Sequence, residues 1–197
     1  PVWEQGCDSS YSWSKKYKHL QNKASPEVIA QRIRDEFTNE YNNGKWLNRH
    51  MCFTGGEPLM KHAQKCVVAI MKHWMKEGDY PKSITFETNG TQLLTEEFIE
   101  FFKEYDGELF FSVSPKLWTV AGEQSKRAIK PEVIAQYNDN FSILDSDVFS
   151  YGQLKFVVGP KEEQWKEMES VIARLRELRV DWPVWIMPVG ATVEGQK

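Results

Sequence analysis

Five residues, Thr54-Gly55-Gly56-Glu57-Pro58, combine the means to bind a small zwitterion. Two adjacent glycines admit backbone torsions that other residues resist, and they clear side chains from the path of a ligand. The Glu57 carboxylate can hold a cation such as an α-ammonium group. Pro58 then sets the chain direction where the next helix begins. A tight βα loop with an incidental acid would look the same, and the pentapeptide alone leaves both readings open. A second polar loop, Gly6-Cys7-Asp8-Ser9-Ser10, places a thiol beside an aspartate among small residues.

Short apolar runs alternate with helical stretches, which predicts an α/β fold with mainly parallel strands. Ser25-Pro26-Glu27 is a helix start, with a capping hydroxyl, a proline in the first turn and then an acid. Ile29, Ile33 and Phe37 recur on one face, and Asn43-Gly44 is the expected stop. A strand from His50 to Phe53 delivers the chain to the glycine turn. The next helix starts near Leu59 and presents Val67, Ile70, Met71 and Trp74 together. Ser83 to Glu87 reads as a strand with Ile84 and Phe86 on one side. Thr95-Glu96-Glu97 opens a helix containing Phe98, Ile99 and Phe102. Leu109 to Val113 is nearly all apolar, as expected of a strand covered on both faces. Residues 117–150 are the least regular, with a short helix opening at Pro131. Gln153 to Val158, a helix from Pro160 to Leu178 with Met168, Val171, Ile172 and Leu175 inward, and a strand from Val184 to Met187 complete the pattern. Five strands each hand a loop to their carboxyl end, the edge where ligand sites of parallel α/β folds collect.

The chain has 197 residues, most simply one domain with a substantial core. Its 25 basic and 28 acidic residues leave a net charge of -3, which gives no footprint for nucleic acid or an anionic membrane. No apolar run approaches the ~20 residues that span a bilayer. Three distant cysteines, Cys7, Cys52 and Cys66, argue against a secreted disulfide scaffold and for the cytoplasm. Cys52 and Cys66 read as small core residues.

Thr54 to Pro58 resembles the GGEP motif of radical S-adenosylmethionine (radical SAM) enzymes. Gly6-Cys7-Asp8-Ser9-Ser10-Tyr11-Ser12-Trp13 resembles the end of the cluster loop of the 7-carboxy-7-deazaguanine synthase family, whose last cluster cysteine precedes Asp, Thr or Ser, and then aromatics. Glu87-Thr88-Asn89-Gly90-Thr91 resembles that family's third-strand motif, and Ser112-Val113-Ser114-Pro115-Lys116 its fourth. Gln153 to Val158 and Ile186 to Gly190 match later strands more loosely.

The resemblance implies a single radical SAM domain over 1–197, folded as a partial (β/α) barrel. It implies a [4Fe-4S] cluster with Cys7 as one thiolate ligand, S-adenosylmethionine, and Mg²⁺ on the Ser9 hydroxyl. Thiolates suit iron–sulfur chemistry, and one side-chain oxygen with substrate oxygens suits Mg²⁺. Gly6, Asp8, Gly55, Gly56, Glu57, Glu87, Ser114, Pro115, Lys116, Met187, Pro188, Val189 and Gly190 would line S-adenosylmethionine. Glu57 would partner its ammonium and Glu87 its ribose, unless Glu87 is a satisfied strand-end acid. Thr54 would touch the substrate. The implied reaction converts 6-carboxy-5,6,7,8-tetrahydropterin to 7-carboxy-7-deazaguanine by hydrogen abstraction, ring contraction and ammonia loss. An electron donor such as a flavodoxin and a homodimer are the implied partners. The family's other two cluster cysteines are not in this sequence, and Glu4 stands at the C-x₂-C position before Cys7. They lie upstream of Pro1 with an N-terminal strand, were replaced, or were lost with the cluster. A closing helix is likewise expected beyond Lys197. The alternatives are another small radical SAM enzyme, such as a glycyl-radical activase, and a cluster-free binding domain.

Overall fold

Ser25, Pro26 and Glu27 open a helix as their chemistry requires. The computed structural model describes residues 14–20, 23–122, 125–141 and 151–189. Helix α1 (Pro26–Phe37) is capped by Ser25, whose Oγ accepts the Val28 N–H at 3.4 Å. It ends at Phe37, ahead of the expected stop at Asn43-Gly44. The reason is the buried Asn42. Its Nδ2 donates to the Phe37 carbonyl at 2.8 Å, and its Oδ1 accepts the Asn39 and Gly44 N–H groups at 2.9 and 3.0 Å. An asparagine thus takes a carbonyl that the helix end leaves open. Asn43 and Gly44, at φ 46° and 73°, then reverse the chain in a separate turn.

A 3₁₀ helix (Lys15–Leu20) precedes α1, and the remaining elements are β1 (His50–Phe53), α2 (Lys61–Lys76), β2 (Ser83–Thr88), α3 (Glu96–Glu104), β3 (Glu108–Val113), α4 (Trp118–Ala121), α5 (Ser125–Ala128), α6 (Pro131–Phe141), β4 (Gly152–Val158), α7 (Glu162–Glu177) and β5 (Val184–Pro188). The strands make an all-parallel sheet in the order β1-β2-β3-β4-β5, so the expected α/β class holds. Parallel neighbours need crossover connections, which the helices between strands supply. Strand ends differ from the expected bounds by at most one residue. Helices α2 and α7 start two residues later than expected, at Lys61 and Glu162.

The described residues fall into two compact units, 14–86 with 94–110, and 87–93 with 111–189. In the first, β1 pairs with β2 from His50↔Ser83 to Phe53↔Phe86. Helix α2 buries Gln64, Val67, Val68, Ile70, Met71 and Trp74, the face its spacing demands. Phe86 stacks on Phe53 at 5.2 Å and meets Phe98 and Phe102 edge-on at 5.3 and 5.8 Å. Burying one such ring stabilises the fold by ~2–3 kcal/mol. Helix α1 buries only Ala30, while Ile29, Ile33 and Phe37 are half-buried. Arg34 on that helix donates to the Gly44 carbonyl at 2.7 Å, to Glu77 Oε2 at 2.9 Å and to Asp79 Oδ2 at 2.5 Å. Cys52 is exposed, a correction to its expected core role. It lies on the strand face of His50, opposite Phe53, and only Phe53 reaches the aromatic cluster.

Tyr105 is buried in the same unit and donates to the Pro81 carbonyl at 2.5 Å. Burial pushes its phenol well above the ordinary range, with the nearby Asp106, Tyr80 and Glu108 adding to the shift. The folded state therefore holds this proton more tightly than the unfolded chain does. Its stabilisation is full below the free-tyrosine value of about 10 and falls as pH rises past it. Urea unfolding of the wild type should lose stability above that pH more steeply than Tyr105→Phe, by up to ~1.4 kcal/mol per pH unit. The variant should be ~1 kcal/mol less stable at neutral pH for want of the hydrogen bond. Parallel pH profiles for the two proteins would refute the assignment.

In the second unit β3, β4 and β5 pair in parallel, with Ser112↔Gln153 and Lys155↔Trp185 in register. Phe111 stacks with Tyr137 at 4.9 Å and with Trp182 at 6.4 Å. Leu154, Phe156 and Val158 share the buried face of β4, and Met168, Val171 and Leu175 of α7 are buried as expected, with Ile172 half-buried.

Candidate functional site

The turn between β1 and α2 is built around its glycines. Gly55 and Gly56 have φ of 80° and 55°, a region that disfavours any side chain. Thr54 and Gly56 are exposed, Gly55 and Glu57 are half-buried, and Pro58 is buried. The Leu59 N–H donates to Glu57 Oε1 at 3.1 Å. Glu57 therefore closes its own turn, and an incoming ammonium would share its carboxylate with Leu59. Gln64, fully buried on α2, sits behind this turn. Its Nε2 donates to the Leu59 carbonyl at 2.6 Å, and its Oε1 accepts the Thr95 N–H at 2.8 Å and the Thr95 hydroxyl at 3.1 Å. It locks the glycine turn to the cap of α3. Sequence reading missed Gln64, although a polar residue three before Val67 on a buried helix face was the available signal.

In the other unit, Glu87 stands near the carboxyl end of β2. The turn after it holds itself: Thr88 Oγ1 accepts the Gly90 N–H at 3.1 Å, and Asn89 Oδ1 accepts the Thr91 N–H and hydroxyl at 3.0 and 2.6 Å. Lys130 Nζ and the Tyr137 hydroxyl donate to the Thr91 and Gln92 carbonyls at 3.1 and 2.5 Å. Past the end of β3, the Ser114 N–H donates to the Thr88 carbonyl at 2.8 Å. Ser114 and Lys116 are half-buried and Pro115 is buried. At the end of β5, Met187, Pro188 and Val189 are exposed.

One face of this unit's sheet carries polar side chains among apolar ones. On β4 the residues alternate, and Gln153, Lys155 and Val157 are half-buried opposite the apolar core. Lys155 Nζ lies 3.1 Å from Glu87 Oε1, and Gln153 Nε2 donates to Ser112 Oγ at 3.0 Å. Trp185, the register partner of Lys155, is 59% exposed. Strands of parallel sheets are ordinarily apolar on both faces. Ser112, Gln153, Lys155 and Glu87 make this face more polar than a strand covered on both sides requires. Lys155 also escaped sequence reading; a lone lysine inside the apolar run from Leu154 to Val158 was its signal.

The expected site residues thus divide. Thr54, Gly55, Gly56 and Glu57 belong to one unit, and Glu87, Ser114, Pro115, Lys116, Met187, Pro188 and Val189 to the other. Gly6, Cys7, Asp8, Ser9 and Gly190 lie outside the described residues. Among the described residues, no three His, Cys, Asp or Glu side chains gather as a metal-binding set. Cys66 is half-buried on α2, and burial, with the charge of Glu27, pushes its thiol up, as a structural cysteine requires. No helix among the described residues is long and apolar enough to cross a membrane. In comparison with known proteins, the chain matches no protein-family model, no curated protein and no solved structure.

Proposed function

We propose that the chain is a radical SAM enzyme of the 7-carboxy-7-deazaguanine synthase type, with its sheet forming part of a (β/α) barrel. One observation carries this reading. Four of the five expected motifs within the described residues reach the carboxyl end of a parallel strand: Thr54 to Pro58 after β1, Glu87 to Thr91 closing β2, Ser114 to Lys116 after β3, and Met187 to Val189 ending β5; the fifth, Gln153 to Val158, is β4 itself. Chance motifs would fall on either end of a strand, whereas ligand loops of parallel folds fall on this one.

The residues present fit S-adenosylmethionine. The left-handed, surface-facing backbone at Gly55 and Gly56 lets an amino-acid group approach without a side chain in the way. Glu87 offers an acceptor-only carboxylate at a strand end, the chemistry that binds ribose hydroxyls. When bound, the cluster and S-adenosylmethionine supply a 5′-deoxyadenosyl radical, which is cofactor chemistry that a protein binds and shields. Cys7 would hold the cluster, Ser9 a Mg²⁺ ion, and Thr54 the pterin.

The test is anaerobic reconstitution of the full gene product with iron and sulfide. It is then incubated with S-adenosylmethionine, dithionite, Mg²⁺ and 6-carboxy-5,6,7,8-tetrahydropterin. Mass spectrometry should find 5′-deoxyadenosine and 7-carboxy-7-deazaguanine, and Cys7→Ser should lower both at least ~100-fold, as loss of a cluster ligand demands. Cofactor cleavage without the deazaguanine would point to another radical SAM reaction. A colourless protein that cleaves nothing would end the proposal.

A further inference from the structure

Lys155 has no part in the cofactor contacts proposed so far. It is 25% exposed at its side chain, it is the one charged residue of its strand, and its ammonium meets Glu87 Oε1 across 68 residues of sequence. The pair lies on the more polar face of the sheet, beside the exposed indole of Trp185. We propose that Lys155 is a positioning residue. It fixes the Glu87 carboxylate in an orientation from which it accepts hydrogen bonds from a vicinal diol, and it thereby selects ribonucleosides over 2′-deoxyribonucleosides.

A carboxylate reads a diol only while it is charged and held, because a protonated acid loses acceptor capacity and an unanchored one samples many rotamers. Lysine brings a compact charge and donors only, so it anchors the acid without competing for the hydroxyls. Glu87 is 42% exposed at its side chain, which gives a ligand access to it while Lys155 lies deeper.

The inference rests on the nucleoside-binding reading of this face, so the experiment separates the two. Calorimetry measures the affinity of the full chain for S-adenosylhomocysteine and for its 2′-deoxy analogue. The wild type should prefer the ribose form by roughly tenfold or more, the scale of one charge-assisted hydrogen bond. Lys155→Met should cut that preference to about threefold or less and weaken the ribose ligand more than the deoxy one. Lys155→Arg should restore most of it. Glu87→Gln, nearly isosteric, should lose the preference even if Lys155→Met folds poorly. A wild type that binds neither probe overturns both the nucleoside reading and this inference. Binding with a ribose preference that Lys155→Met keeps, or an equal loss for both probes, overturns the inference alone and leaves Lys155 a structural residue.

Discussion

Gly90→Ala is expected to destabilise the protein by about 2–4 kcal/mol, the sum of a backbone and a packing penalty. Gly90 has φ of 73°, where an L-residue meets its own carbonyl at a cost of ~1 kcal/mol or more. A Cβ there would also lie 2.7 Å from Val113 Cγ1 and 3.0 Å from Ile134 Cγ1. Both neighbours are buried, at 0% exposure, so neither can swing into solvent. Forcing such a contact costs a further ~1–3 kcal/mol. Gly78 provides the control. Its φ is 74°, and no heavy atom stands within 4 Å of the place an added methyl would take. Gly78→Ala should therefore show the backbone penalty alone, ~1 kcal/mol. Urea unfolding measures both, and equal losses would mean that Val113 and Ile134 yield without cost. The consequence reaches the candidate site. Gly90 sits between Asn89 and Thr91 in the turn that follows Glu87, so the variant should also weaken the nucleoside binding proposed above.

Gln64→Leu should cost ~2–4 kcal/mol despite a similar side-chain volume. The substitution strips partners from the Leu59 carbonyl and the Thr95 N–H at a position with 0% exposure. A buried group left without its bond costs ~1–3 kcal/mol, more than the bond contributes when formed. The Thr95 hydroxyl, which donates to Gln64 Oε1, also accepts the Phe98 N–H at 3.3 Å as the cap of α3. Hydrogen exchange at Phe98 should accelerate in the variant along with the global loss. Gln164 uses the same device in the other unit, accepting the Gly159 N–H at 2.8 Å and donating to the Thr119 carbonyl at 3.2 Å. It is 7% exposed and its donated bond is longer. Gln164→Leu should accordingly cost less, ~1–2 kcal/mol. Unchanged unfolding midpoints in both variants would show that water replaces the amides freely.

What was legible in the sequence was what depends on neighbours along the chain. The Ser25 and Thr95 caps, the buried face from Val67 to Trp74, and the alternation of strands with helices are repeats over a few residues, and each appears as read. The class of fold follows from them, because parallel strands and their crossovers recur in strict order. Local chemistry also marked the glycines at 55 and 56, whose left-handed torsions the structure displays.

Tertiary structure decided how polar groups are matched. Asn42 ends α1 early because its amide reaches back to Phe37, an option no helical period encodes. Cys52 is exposed because its strand face is not the one that meets Phe86. Glu57 was legible as an acid beside two glycines, but its bond to Leu59 came only with the folded turn. Lys155 and Glu87 are matched across 68 residues, and Gln64 and Thr95 across 31. The physical reason is common to all of them. Apolar burial is non-directional and leaves a periodic trace in sequence, whereas a buried polar atom needs one partner at one distance and angle, and only the packed chain determines which atom that is.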